Sequence, residues 1–522
     1  MVTAACWIDR KLDQRAIATG PLRGRKRKTS RLRRSGAVIA AVSLVSAGSL
    51  STGASAATIA TPSVPTARLI QPPGPISAHP ALLNEARAAC RTADATHIAL
   101  CAGTIDAEIW GLPLEIMSHT RDRLACQIGV NHLYNASTLA GPTSTSVIAP
   151  NDDTLYSTSF LDLRAGPQLL TVPSVSGRYV NFQLLDMYTN TIADIGVLTD
   201  HRSAGIYAFV GPDWHGTIPN GAVRIDVPTP DAWLLGRTQV DGPADLAATV
   251  ALQHEYKLTA LNARGSGMIG GPSTLACPAS ALPSPTSLRF LTDLENNMAA
   301  DPPSAADGPV VRAMAAAGIA AGRTLHAASS DDAVSYLEAL QVGATVLAKA
   351  GGGRSIPLSD GWTRGAVVGA YGTDYVMRAI VAKFGLAAQV PTQAVYFHAR
   401  SSRVGTVTTP LVGTRSYEIR FASHDLPPYG SDGFWSITMY NAAGFLVANV
   451  IDRYSIGDQT PGLLRGRDGS LTLVMSAARP IDKNVNWLPA PKGAFSLSLR
   501  VYDPTRHVLD GSWSPPLVRM IG

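Results

Sequence analysis

Charged residues are scarce: Asp, Glu, Lys and Arg make up 16% of the 522 residues, against 46% apolar ones. A chain so composed can bury sizeable cores and is not intrinsically disordered. Its 47 Gly and 36 Pro, about 16% together, are too few for a collagenous or low-complexity protein. The usual signatures of chemistry are also missing. There is no H-x-H and no H-E-x-x-H: His254-Glu255 begins the latter, but Leu258 stands where its second His belongs. There is no C-x-x-C, no G-x-S-x-G and no Walker A motif. Local spacing therefore gives no zinc site, no redox pair, no α/β-hydrolase elbow and no nucleotide loop. Residues 265–270 match G-x-G-x-x-G, but they follow a helix-like stretch, not a strand, and read as a loop. No cofactor is indicated, and no fixed-period repeat appears.

The net charge of +6 resembles a nucleic-acid signal until it is mapped. Eleven Lys/Arg against two Asp/Glu lie in residues 1–56, a surplus of nine, while the remaining 33 Lys/Arg against 36 Asp/Glu leave −3. Basic residues 23–34 precede an apolar, small-residue run at 36–50, and Ala54-Ser55-Ala56 gives an A-x-A cleavage pattern. That order predicts a secretory signal peptide over 1–56, with the mature chain starting near Ala57. The run of 15 residues is shorter than the roughly 20 that span a bilayer, although a retained anchor stands as the alternative. The expected location is secreted or cell envelope, with no membrane association beyond the leader and no nucleic-acid partner. Four of the five cysteines lie beyond the leader: Cys90, Cys101, Cys126 and Cys277. An even count in an oxidising compartment allows two disulfides, and Cys90–Cys101 closes the shortest loop.

Periodicity divides the rest. Residues 57–80 are rich in Pro, Ala, Thr and Ser and read as a linker. Residues 81–140 read as mostly helical, with Pro113 as a kink or start. Strands follow at 169–172, 179–185, 206–210 and 223–227, as an antiparallel sheet with one buried face. A helix is expected from Asp241-Gly242-Pro243 to about Lys257, then helices over 287–300, 310–321, 332–350 and 375–384. Strands return at 434–440 and 445–450, joined as a hairpin through Asn441-Ala442-Ala443-Gly444, and then at 471–475 and 495–501. The fold class is mainly β with a helical middle. It comprises an N-terminal β-sandwich domain (81–285, with a helical entry), a helical segment (286–390) and a C-terminal jelly-roll-like β-sandwich (391–522).

Two regions are dense in polar and aromatic residues. The first holds Pro150-Asn151-Asp152-Asp153-Thr154-Leu155-Tyr156-Ser157, then Leu185-Asp186-Met187-Tyr188-Thr189-Asn190, then Leu235-Gly236-Arg237-Thr238. The second holds Phe434-Trp435-Ser436-Ile437-Thr438-Met439-Tyr440, Asp452-Arg453-Tyr454-Ser455-Ile456-Gly457-Asp458, Asn486-Trp487-Leu488-Pro489-Ala490-Pro491 and Asp510-Gly511-Ser512-Trp513-Ser514-Pro515-Pro516. The first region resembles the bacterial family called domain of unknown function 1254, with its P-N-N-D-T-L-Y-S pattern. The second resembles domain of unknown function 1214, with F-W-S-L-T-M-Y, N-R-Y-x-I-G-D and N-W-L-P-A-P. The resemblance covers about residues 105–516. It implies the same sandwich, helical segment and jelly roll, and no established activity. Asp152 and Asp452 stand where those patterns carry Asn.

For Asp153, Tyr156 and Asp186, one reading is catalytic: a carboxylate pair for acid and base work, with Tyr156 as a second proton donor. The other makes Asp153 a turn residue, Tyr156 a core residue, and Asp186 an ion-pair partner of Arg178 or Arg237. Arg178, Asn190, Arg237, Arg453, Asp458 and Asn486 are candidate ligand-binding groups, with an Arg453–Asp458 ion pair as the structural alternative. Trp435 and Trp487 are either a sugar-stacking platform or jelly-roll core. Three functions are therefore carried forward. One is an exported hydrolase or lyase with a polar cleft between the β domains. Another is a non-catalytic envelope protein that binds a carbohydrate or another small molecule. The third is a structural or host-interaction protein.

Overall fold

The computed structural model describes residues 79–90, 95–144, 149–196, 204–261, 277, 284–351, 355–358, 360–365, 368–404 and 407–521. The expected signal peptide, nearly all of the expected linker and the glycine loop at 265–270 lie outside the described residues. The helices are α1 (His79–Ala89), α2 (Ala95–Ile128), α3 (Leu246–Gln253), α4 (Leu288–Ala300), α5 (Gly308–Ala316), α6 (Ser330–Gly351), α7 (Tyr375–Gly385) and α8 (Arg506–Asp510). The first nine strands are β1 (Tyr134–Asn135), β2 (Thr154–Asp162), β3 (Gln168–Val172), β4 (Val180–Asp186), β5 (Thr191–Gly196), β6 (Gly205–Val210), β7 (Val223–Asp226), β8 (Asp231–Gln239) and β9 (Lys257–Ala260). Next come β10 (Ser355–Pro357), β11 (Trp362–Gly365), β12 (Ala394–Ala399), β13 (Ser401–Val404), β14 (Val407–Pro410) and β15 (Tyr417–Phe421). The last are β16 (Tyr429–Asn441), β17 (Ser455–Gly457), β18 (Leu471–Ser476), β19 (Asn486–Pro489), β20 (Phe495–Pro504) and β21 (Arg519–Met520).

The protein is mainly β with a helical middle, as the periodicity predicts. Sheets β1-β2-β8-β4-β5 and β7-β6-β3-β9 enclose one core, built on Leu161, Phe182, Leu184, Phe209 and Leu234. Sheets β10-β11-β12-β20-β16-β17 and β19-β18-β15-β21 enclose another, built on Trp435, Ile437, Leu473, Leu497 and Leu499. Pairing is antiparallel except for β6–β7 and β18–β19. The middle helices do not stand alone. The long α2 is their axis, with α4, α5, α6 and α7 packed along it. Its Ile105, Ile109, Trp110, Leu114 and Met117 are almost fully buried on several faces, which suits a central helix. The disulfide Cys90–Cys101 ties the end of α1 to α2, and Cys126–Cys277 ties the end of α2 to a distant part of the chain.

Four local expectations are corrected. The helix expected to reach Lys257 is a short 3-10 turn (Pro243–Asp245) followed by α3, which ends at Gln253, because 257–260 pairs with β3 as a strand. The helix expected to reach residue 321 stops at Ala316, where Gly318 at φ 83 lets the chain turn back. The second arm of the expected hairpin is no strand; beyond the turn only the Tyr440–Leu446 bridge remains. There Asn449 takes over the backbone, accepting from the N–H groups of Ile451 and Arg453 and donating to the carbonyls of Val447 and Arg453. β16 pairs with β20 and β17 instead.

The fourth correction matters most for function. The N-terminal sheet has two buried faces, and all of β4 and β8 is buried. Leu161, Leu184 and Leu234 point into the sandwich, while Phe160, Trp233 and Leu235 join the core of the helical bundle. Alternating polar positions usually mark a solvated face. Here Asn181, Gln183 and Arg237 are covered by residues 387–389: Gln183 Nε2 donates to the Ala388 carbonyl, Arg237 Nη2 to the Ala387 carbonyl, and Gln389 Nε2 to Asn181 Oδ1.

Candidate functional site: a cavity where the layers meet

That buried polar face borders a cavity of about 270 Å3. Its apolar wall comes from the bundle and the adjoining sheet: Leu124 of α2, Met377, Ile380 and Val381 of α7, and Trp233 and Leu235 of β8. The polar end is formed by Tyr156 of β2, Arg237 of β8, Tyr396 of β12, and Arg500 and Tyr502 of β20. Phe384, 38% exposed, lies on its rim.

Two buried guanidiniums stand in this wall. Arg237, 6% exposed, donates to Gln183 Oε1 at 3.1 Å and to the Ala387 carbonyl at 2.6 Å. Its guanidinium lies over the Tyr156 ring at 5.7 Å, and among the described residues it has no ion-pair partner. Arg500 donates to Thr438 Oγ1, the Ala149 carbonyl and the Tyr440 hydroxyl. Asp153 lies within electrostatic reach of Arg500 and supports its charge. Two tyrosine hydroxyls accept rather than donate: Tyr396 from the Gln389 N–H and Tyr502 from Asn151 Nδ2. Among the described residues neither hydroxyl donates its own proton. Burial pushes both phenols up, so both carry those protons at neutral pH.

Of the sequence candidates, Tyr156 and Arg237 reach this cavity. Asp153 does not line it. Asp153 is half-buried at the entry to β2 and accepts from Ser436 Oγ at 2.6 Å and Ser455 Oγ at 3.5 Å, joining that entry to β16 and β17. Asp152 shares Ser455. Burial raises both carboxyls, and the charge of Asp153 raises Asp152 further. Asp186 organises a tight turn, accepting from the N–H groups of Tyr188 and Asn190 and from Asn190 Nδ2. Those bonds hold Thr189 at φ 66, a left-handed backbone that a β-branched residue rarely adopts. Burial nevertheless pushes Asp186 up to about 6.

The remaining candidates are placed elsewhere. Arg178 pairs with Asp245, not Asp186, and also donates to the Gln239 carbonyl and Thr249. Arg453 donates to the Trp487 carbonyl, and Asp458 accepts from the Trp435 N–H, so these two form no ion pair with each other. Asn486 is engaged by Leu464 and Thr472 backbone, and Trp487 donates to the Ser476 carbonyl. Arg453, Asn486 and Trp487 border a second cavity of about 280 Å3, whose rim carries Arg479, Asp482 and Lys483. Trp435, 2% exposed, packs on Phe421 inside the C-terminal sandwich. The structure thus does not bring Asp153, Asp186 and Arg453 into one pocket. Asp452, where the family pattern has Asn, sits at φ 48, and both residue types tolerate that conformation.

Residues 130–260 match the model of a family described as protein of unknown function (DUF1254). Residues 393–506 match one described as protein of unknown function (DUF1214). The two matches lie in that order along the chain. The DUF1254 segment supplies Tyr156 and Arg237 to the cavity, the DUF1214 segment supplies Tyr396, Arg500 and Tyr502, and α7 between them supplies much of the apolar wall. Among solved structures, the VPA0106 protein from Vibrio parahaemolyticus matches with a TM-score of 0.62 and 20% identity, over 81% of this chain and 100% of its own. An uncharacterised protein from Burkholderia cenocepacia matches with a TM-score of 0.38 and 11% identity, over 85% of this chain and 94% of its own. The first likeness shows a shared fold. No curated protein matches the sequence.

Sequence reasoning missed Tyr396, Arg500 and Tyr502. Arg500 was visible only as the polar partner of an alternating strand. Its role depends on that face being covered by residues about 350 positions away, as the Asn151–Tyr502 bond illustrates.

Proposed function

We propose that the protein is an exported, non-catalytic binder of a small and largely apolar molecule, held in the cavity between the helical bundle and the two sandwiches. The supporting observation is the cavity itself. At about 270 Å3 it lies near the lower edge of ligand pockets, with an apolar wall and a few convergent polar groups. A hydrolase or lyase would need an acid and a base at one reacting centre, and Asp153 and Asp186 are each bonded into their own turn or strand entry. A carbohydrate ligand would call for an accessible aromatic platform, whereas Trp435 and Trp487 are both buried, at 2% and 5% exposed. Export is part of the proposal. It draws on the basic, apolar and A-x-A order of the leader and on two disulfides, which persist in oxidising compartments. Among the described residues, no helix is long and apolar enough to cross a membrane.

Calorimetry of the folded chain against a panel of small amphiphiles tests the binding reading, with Val381→Trp as control. Val381 is half-buried on α7 and faces the cavity, so an indole there fills the space. One-to-one binding that Val381→Trp abolishes supports the proposal. No binding by any panel member, or equal binding by the variant, overturns it. For export, N-terminal sequencing of protein recovered from the envelope or medium should begin near Ala57; a Met1 start on cytoplasmic protein would contradict it.

A further inference from the structure

The polar lining of the cavity, which also includes Asn151, Thr158 and His398, carries two guanidiniums and two tyrosine hydroxyls with a proton to give. We infer that the ligand is a monocarboxylate with an apolar body, its carboxylate seated on Arg237 and the hydroxyls of Tyr396 and Tyr502, its body along α7 and Trp233. The inference deepens the binding proposal and rests on it.

Three features carry the argument. First, Arg237 is a buried cation with no ion pair among the described residues, and two of its five N–H donors are bonded there. A buried charge without a partner is costly, and an anion entering the cavity would remove that cost. Asp194 is the carboxylate within electrostatic reach of Arg237, but it is bonded to Asn181 Nδ2 and does not touch the guanidinium. Second, Tyr156, Tyr179, Tyr396 and Tyr502 all lie within electrostatic reach of Arg237. Tyr396 and Tyr502 each keep a hydroxyl proton to give, because the bonds they make are accepted ones. A guanidinium beside two phenol donors suits an acceptor-only head group, and a carboxylate is one. An ammonium head would meet donors and a like charge. Third, the lining also offers Leu124, Ile380 and Val381, which suit a hydrocarbon and not a second charge. The cavity's volume favours a short aliphatic or single-ring acid over a long lipid chain.

Octanoate, 1-octanol and octylamine share one chain and differ at the head, so calorimetry with these three on the whole protein separates the claims. Octanoate is expected to bind about tenfold or more tighter than 1-octanol, the worth of one charge-assisted hydrogen bond, and octylamine more weakly still. Arg237→Gln should remove that preference, so that octanoate and 1-octanol bind the variant within about threefold of each other. Because Arg237 is buried and its loss strains the fold, Tyr396→Phe serves as the second variant. It keeps the ring, deletes the donor, and should weaken octanoate by about three- to tenfold, a larger loss than for 1-octanol. Equal affinity for octanoate and 1-octanol would overturn the carboxylate inference and leave the binding proposal standing. Binding of neither would overturn both.

Discussion

Glu115 offers a sharp test of the packing around α2. Its side chain is 5% exposed, faces α4, and accepts one bond from Asn297 Nδ2 at 2.8 Å. Burial pushes the carboxyl up to about 8; the Asn297 bond opposes this, and Asp293 and Asp122 add to it. The unfolded chain has no such environment, so its Glu115 ionises near 4.5. Between these values the folded state holds a proton that the unfolded state has released. The group's contribution to stability is therefore intact below about pH 4.5 and is lost progressively as pH rises toward 8. The slope is about 1.4 kcal/mol per pH unit, so moving from pH 5 to pH 7 costs roughly 3 kcal/mol. Glu115→Gln keeps an acceptor for Asn297 and has no charge to bury. Urea unfolding of both proteins, with disulfides intact, should show Glu115→Gln gaining roughly 3 kcal/mol relative to wild type between pH 5 and pH 7. Taking the difference between the two proteins removes other titrating groups such as Asp186 and Asp194, both pushed to about 6 by burial. Parallel stability profiles would refute the buried, protonated Glu115.

Other outcomes follow from single contacts. Asp153→Ala leaves the buried Ser436 hydroxyl without its acceptor and should lower unfolding free energy by about 1–3 kcal/mol, read by thermal or chemical denaturation. An unchanged stability would mean that Asp153 is not scaffolding. Replacing Cys90 and Cys101 together by Ser releases a loop of sequence separation 11 and should cost about 3 kcal/mol; mass spectrometry without reductant that finds both thiols free in the wild type would remove the premise. Gly413→Ala places a Cβ 1.7 Å from the Pro491 carbonyl oxygen, so backbone must shift and the C-terminal sandwich should lose about 1–3 kcal/mol or more.

What the sequence made legible were elements with one clean period. Leu471, Leu473 and Met475 alternate and form β18, and Phe495, Leu497, Leu499 and Val501 alternate and form β20. Residues 332–350 carry a helical stripe and form most of α6. Failures came where a side chain or a distant strand overrode local pattern. Asn449 replaced a hairpin arm, and β3 claimed the end of an expected helix. The candidate site was legible only in part, for the same reason. The Leu185–Asn190 motif looked chemical because it is polar and dense, yet its polarity serves a turn with a left-handed Thr189. Arg237 looked no different in sequence from Arg178, but one is tied to Asp245 and the other borders a cavity. That distinction arises from residues 387–389 and from β20, whose contact with the N-terminal sheet has no local sequence signature.

The central claim is that a small apolar acid occupies the cavity with its carboxylate on Arg237. Anomalous diffraction from crystals grown with 8-bromooctanoate tests it directly. The account predicts a bromine peak beside Leu124, Ile380 and Val381, with carboxylate density within hydrogen-bond distance of Arg237 and of the Tyr396 or Tyr502 hydroxyl. A cavity without bromine, or a bromine peak next to Arg237 with the carboxylate directed toward α7, would contradict it.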